Sequence, residues 1–163
     1  MEPLNPDIGE LVGKLARALL ARGSMLATAE SCTGGMIAAA CTDLAGSSQW
    51  FERGFVTYSD AAKSDSLGVD AALIVQHGAV SEVVARAMAF GAVRHSQAQL
   101  SIAVTGVAGP TGGSAEKPVG TVWFGLQVDG QLTSERRLFP GDRAAVRIAT
   151  VRHALQRLIE LLA

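Results

Sequence analysis

Apolar positions along this chain change their spacing several times, and each change marks a new element. Ile8, Leu11, Leu15 and Leu19 fall three or four residues apart, which predicts a helix over about 8–22, capped by Asp7 and stopped by Gly23. Residues 24–29 form a short apolar run that reads as a buried strand. Small residues from Met36 to Leu44 suggest a helix. A strand near Gly54–Tyr58 leads into a helix start at Ser59-Asp60-Ala61-Ala62-Lys63. Ser81 caps a predicted helix to about His95, with Val84, Ala87, Met88 and Gly91 inward. Leu100–Thr105 is β-rich, and a loop dense in glycine follows over 106–113. Strands at about 119–128 and 132–138 flank Asp129-Gly130, a strong two-residue hairpin signal. Asp142 caps a final helix whose stripe is Val151, Leu155, Leu158 and Leu162. Interleaved helices and strands with one hairpin predict a single-domain three-layer α/β/α sandwich with a mixed β-sheet. That domain spans residues 1–163, with the first ten or so allowed as a loose N-terminal extension.

Composition narrows the function. The chain has 163 residues, 48% hydrophobic and 18% charged, enough apolar material for one continuous core. Lys plus Arg number 14 against 15 Asp plus Glu, so the basic excess of a dedicated nucleic-acid binder is missing. A small phosphorylated substrate needs only one or two cations and stays open. Cys32 and Cys41 form no disulfide framework and fit a reducing compartment. The acidic N-terminus lacks the blocks of a signal peptide, and no apolar stretch is long enough for a membrane helix, so a cytoplasmic protein is expected. The apolar composition of so small a chain is compatible with a homodimer.

Three segments carry candidate chemistry. In Ala29-Glu30-Ser31-Cys32-Thr33-Gly34-Gly35 a strand ends and a helix begins, which aims backbone N–H groups and a helix dipole at one spot. A hydroxyl there can attack a carbonyl, although the same residues also describe an ordinary helix cap, with Glu30 as a capping carboxylate. Cys32 is a rival nucleophile if the helix end lowers its pKa. In Tyr58-Ser59-Asp60-Ala61-Ala62-Lys63, a buried lysine can serve as a base in place of histidine; otherwise Lys63 is an exposed helix residue. His77, His95 and His153 are expected at the surface. The glycines of 106–113 let backbone approach a ligand, and Lys117 or Arg143 can meet an anion, but the spacing fits neither a Walker A loop nor a dinucleotide fingerprint. No His/Cys/Asp cluster has metal-ligand spacing. The residues alone thus yield a serine site whose base is unproven.

Five ordered motifs together resemble the CinA C-terminal domain family. They are Ala29–Gly35, Gly54–Ser59 with Lys63, Gly78-Ala79-Val80-Ser81, Thr105–Pro110 with Gly112-Gly113, and Lys117–Thr121. The resemblance runs from about Leu11 to the final helix. It implies a nicotinamide-nucleotide amidase acting on nicotinamide mononucleotide, a small-molecule substrate, with no metal or organic cofactor and neither nucleic acid nor membrane as partner. It further implies Ser31 as nucleophile, activated by Lys63 and Tyr58. Glu30, the backbone at Thr33, Gly34 and Gly35, and the loop holding Thr105, Gly106 and Gly109 would shape the pocket, with Lys117 or Arg143 for the phosphate. Larger family members carry an additional N-terminal domain resembling molybdopterin-binding proteins, which is expected to be absent here. The family's association with competence keeps a rival reading in view, a non-catalytic nucleotide- or partner-binding module. An amidase for another amide, such as free nicotinamide, is a third.

Overall fold

The computed structural model describes residues 6–163. Helix α1 (Pro6–Arg22) buries Ile8, Leu15 and Leu19 on one face. Asp7 lies inside its first turn rather than at the cap position, and the buried Ile8 ties the helix down from its start. The loose extension expected over the first ten residues therefore does not hold from Pro6 onward; residues 1–5 lie outside those described. Strand β1 (Leu26–Glu30), helix α2 (Met36–Thr42), a 3-10 turn at Ser47–Gln49 and strand β2 (Phe51–Val56) follow. Three helices come next, α3 (Asp60–Leu67), α4 (Ala71–His77) and α5 (Glu82–Arg94). The chain closes with β3 (Leu100–Gly106), β4 (Thr121–Val128), β5 (Gln131–Leu138) and α6 (Arg143–Leu162).

The five strands form one sheet in the order β2-β1-β3-β4-β5. β1 runs parallel to both β2 and β3, while β4 and β5 are antiparallel additions, so the sheet is mixed as expected. Strand alternation divides the core into two layers of different character. Leu26, Leu100, Ile102, Val104, Val122 and Phe124 face α1, α2 and α6 across large side chains. On the other face Ala27, Ala29 and Ala103 meet α3, α4 and α5. Small residues there let α5 press onto the sheet: a Cβ on Gly125 would lie 2.3 Å from the Ala85 carbonyl oxygen. The Asp129-Gly130 hairpin is built as predicted, with positive φ at both residues (54° and 75°). Asp142 and Ser81 cap α6 and α5 through bonds from the Ala145 and Val84 amides.

Some expectations shift. β2 starts at Phe51, not Gly54, because Gly54 sits in mid-strand, where a Cβ would meet Thr28 Oγ1 at 2.9 Å and Ala38 Cβ at 3.2 Å. A glycine chosen for close packing weakens the strand signal. Helix α4 went unanticipated; its seven residues are too few to show a period, although Asp70 caps it through the Ala72 amide. His95 and His77 are exposed, but His153 is not at the surface. Its ring packs between Phe124 and Phe139 and meets Glu135 at 2.6 Å.

The topology already locates a crevice. From β1 the chain crosses to β2 through α2 on one face of the sheet, and from β2 it returns through α3–α5 on the other face to β3, on the far side of β1. The carboxyl end of β1 is thus a switch point, where open α/β sheets bind ligands.

Candidate active site

Ser31 stands one residue beyond β1, at that switch point, and is 8% exposed. The turn that carries it from β1 into α2 needs left-handed backbone at Gly34 (φ 57°) and Gly35 (φ 105°). The turn is held from several sides. The Ser31 amide donates to the Val104 carbonyl at 3.1 Å, and the Gly34 amide to the Ser31 carbonyl at 3.0 Å. Glu30 lies beneath it, fully buried, and accepts from Thr33 Oγ1 (2.6 Å) and from the Ile37 and Ala38 amides (2.8 and 3.0 Å). Gly35, at the helix start, has no side chain to cap α2, so the preceding strand supplies the cap instead. Glu30 and the Thr33 hydroxyl thereby direct their side-chain polar atoms to each other and to the helix.

Lys63 comes from α3, whose start is fixed by Ser59 accepting the Ala62 amide at 3.0 Å. Its side chain is 1% exposed, and the expectation of burial holds against that of a surface lysine. Nζ lies 3.1 Å from Ser31 Oγ, and its other neighbours are the Thr57, Tyr58 and Ser59 carbonyls at 2.9, 3.3 and 3.5 Å. Burial pushes the Lys63 pKa below the ordinary 10.5, against weaker opposing pulls from Asp60 and Cys32. The arrangement can therefore take a proton from Ser31.

Tyr58 divides its roles. Its carbonyl helps seat the lysine, whereas its ring is 61% exposed and its hydroxyl accepts from Arg143 Nη2 at 3.1 Å. The phenol thus faces Arg143 and not the Ser31–Lys63 pair. Cys32 is buried, and burial pushes its thiol up to about 12, which removes the thiolate a rival nucleophile requires.

The other expected residues separate into two groups. Thr105, Gly106 and Arg143 line a cleft of about 200 Å³ together with Ser31, Tyr58 and Lys63. Thr105 does so indirectly, its hydroxyl donating to the Ala79 carbonyl at 3.0 Å and tethering the Ala79–Val80 wall. Gly109 is left-handed (φ 81°), packed so that a Cβ would lie 2.4 Å from Val119, and its carbonyl accepts from Arg143 Nη1 at 2.8 Å. Lys117 lies elsewhere: Nζ donates to the His77 carbonyl at 2.7 Å and closes the end of α4. A second, larger cavity of about 610 Å³ adjoins the cleft and shares Ala108 and Arg143 with it. Pro110, Val119 and the start of α6 complete its walls. Arg147, which also lines it, escaped the sequence reading. Its four-residue spacing from Arg143 on a helix was the available signal, since such residues share a face.

Among the described residues no group of three His, Cys, Asp or Glu could hold a metal ion, and no helix is long and apolar enough to cross a membrane.

The chain is similar to known proteins in both sequence and fold. The family model for the CinA C-terminal domain matches residues 9–162. The chain is 53% identical over 148 residues to the nicotinamide-nucleotide amidohydrolase PncC of Enterobacter agglomerans, covering 90% of each. It is 50% identical over 153 residues to the protein of that name from Escherichia coli K12, covering 93% of each. Its fold superposes on the crystal structure of the competence/damage inducible protein CihA from Agrobacterium tumefaciens with a TM-score of 0.95, at 47% identity and 99% coverage of both chains. With sequence and fold in agreement, the chain belongs to the CinA C-terminal domain family.

Proposed function

We propose that this protein is a nicotinamide-nucleotide amidase, hydrolysing the carboxamide of nicotinamide mononucleotide to nicotinic acid mononucleotide and ammonia through a Ser31 acyl-enzyme. The observation that carries the reading is the 3.1 Å contact between Ser31 Oγ and a buried Lys63 whose amine is shifted toward its neutral form. Relatives at about half identity that bear an amidohydrolase name supply the substrate.

Neutral Lys63 takes the Ser31 proton as Oγ bonds to the carboxamide carbon, whose oxygen becomes an oxyanion. The amides of Cys32 and Thr33, which have no acceptor among the described residues, supply the donors for it. The carbon–nitrogen bond then breaks, and the lysine proton leaves with ammonia. Water attacks the ester, gives its proton to Lys63, and the released serine oxygen recovers it. The cationic pyridinium ring draws electrons from the carbonyl, so a modest base suffices. The ring occupies the smaller cleft, and the ribose phosphate extends past Arg143 into the larger cavity. Such a reaction returns the nucleotide to pyridine nucleotide recycling, and a cytoplasmic location fits it.

The test is ammonia release from nicotinamide mononucleotide by the purified chain and by Ser31→Ala in parallel, without added metal. Turnover by the first and none by the second, both folded, supports the reaction and the nucleophile. Retained turnover by Ser31→Ala removes the serine, and inactivity of both favours the binding-module reading.

A further inference from the structure

The Ser31–Gly35 turn contains two left-handed glycines, and its peptide planes are free to rotate unless something holds them. Arg147 holds them. From α6, more than a hundred residues away in sequence, its Nε donates to the Cys32 carbonyl at 3.1 Å and its Nη2 to the Thr33 carbonyl at 3.2 Å. A trans peptide points its carbonyl and the following N–H in opposite directions. Fixing the Cys32 carbonyl toward α6 therefore turns the Thr33 N–H away from α6. The Thr33 carbonyl also accepts from the Met36 amide at 3.0 Å, and the following Gly34 N–H meets the Ser31 carbonyl. The guanidinium is planar and spans both carbonyls in one fork, which a lysine cannot do.

We propose that Arg147 is a positioning residue that keeps the Cys32–Thr33 peptide in the orientation that offers its N–H to the oxyanion. The inference rests on the amidase reading above. Without the fork, that peptide is free to turn over and present a carbonyl oxygen where negative charge develops. Ground-state binding does not depend on this amide, so the loss falls on the chemical step.

The experiment measures kcat and KM for nicotinamide mononucleotide and for its dephosphorylated nucleoside, with wild type, Ser31→Ala, Arg147→Met and Arg147→Lys, alongside thermal unfolding. Arg147→Met should lose about 10- to 100-fold in kcat on both substrates, at or below the roughly 100- to 1,000-fold typical for outright loss of one oxyanion donor. KM and the pH midpoint should stay unchanged, since Lys63 is untouched. Methylguanidinium added to Arg147→Met should restore part of the rate. If Arg147→Met fails to fold, Arg147→Lys serves, with the same kcat loss at constant KM. An unchanged kcat overturns the proposal. So does a raised KM confined to the phosphorylated substrate, which would make Arg147 a phosphate ligand. Inactive wild type would instead remove the amidase reading itself, whereas active wild type with inactive Ser31→Ala and unaffected Arg147 variants removes only this inference.

Discussion

In the proposed reaction Lys63 is the residue on which most of the chemistry turns, and its burial makes two pH dependences measurable. As a base it must be neutral, so the turnover rate should rise with pH and level off at a midpoint below 10.5, because desolvation lowers its pKa. A midpoint at or above 10.5 would contradict this. Stability carries the same signature. At pH below the lowered value, folded and unfolded chains both hold the proton, and the cost of burying the charge is fully present. As pH climbs toward 10.5 the folded protein sheds the proton first and that cost disappears, so this group makes stability increase with pH. Lys63→Met should flatten that slope in denaturant titrations at several pH values. Lys63→Arg should be almost inactive in ammonia release, since arginine stays protonated. At this scale the sequence was informative about Ser31 and Lys63 only once the motifs were read together: thirty-one intervening residues hide a 3.1 Å contact. Tyr58 shows the limit. Its place beside the site was legible, but which of its atoms faces the lysine depends on how the chain leaves β2.

Among the elements, α2 and α5 illustrate two ways of attaching a helix to this sheet. α2 begins at a glycine and borrows its cap from Glu30 on the neighbouring strand. Glu30→Ala leaves a hydroxyl and two amides without their acceptor and should cost about 1–3 kcal/mol in urea unfolding. Because the same turn carries Ser31, activity should fall along with stability. α5 instead depends on missing side chains. Gly125→Ala places a methyl carbon 2.3 Å from the Ala85 carbonyl oxygen, and overpacking of this kind typically destabilises by about 1–3 kcal/mol. A Gly125→Ala protein as stable as wild type would refute that packing account. Helices with a clear stripe or a side-chain cap, such as α5 and α6, were legible along the chain. The cap on α2 was not, since a carboxylate ahead of a serine reads equally as a ligand, and only the pleat of β1 decides which way it points.

At the level of the whole molecule, the site is assembled from both halves of the chain around one end of β1. Ser31 and Lys63 arrive early; the 105–110 loop and the start of α6 arrive late and add the larger cavity. Arg143 joins the two cavities and bonds both Gly109 and Tyr58. Arg143→Ala should raise KM for the mononucleotide by roughly tenfold, the equivalent of about 1.4 kcal/mol, and change KM for the dephosphorylated nucleoside much less. Equal effects on both would place the phosphate elsewhere. The layered architecture could be read from the alternation of elements, and the mixed sheet from its single hairpin. Where Lys117 ends up could not, because a loop lysine is placed by whichever carbonyl it reaches, here that of His77.

Tyr58, exposed at the rim of the cleft, is also the chain's single tyrosine. Biosynthetic replacement of tyrosine by a fluorinated analogue would therefore place one fluorine nucleus in the entire protein, beside Arg143. Its resonance would carry no overlap from other sites, and a change on adding nucleotide would report the rim alone. The molecule has a built-in observation point at the entrance to the cleft that holds Ser31 and Lys63.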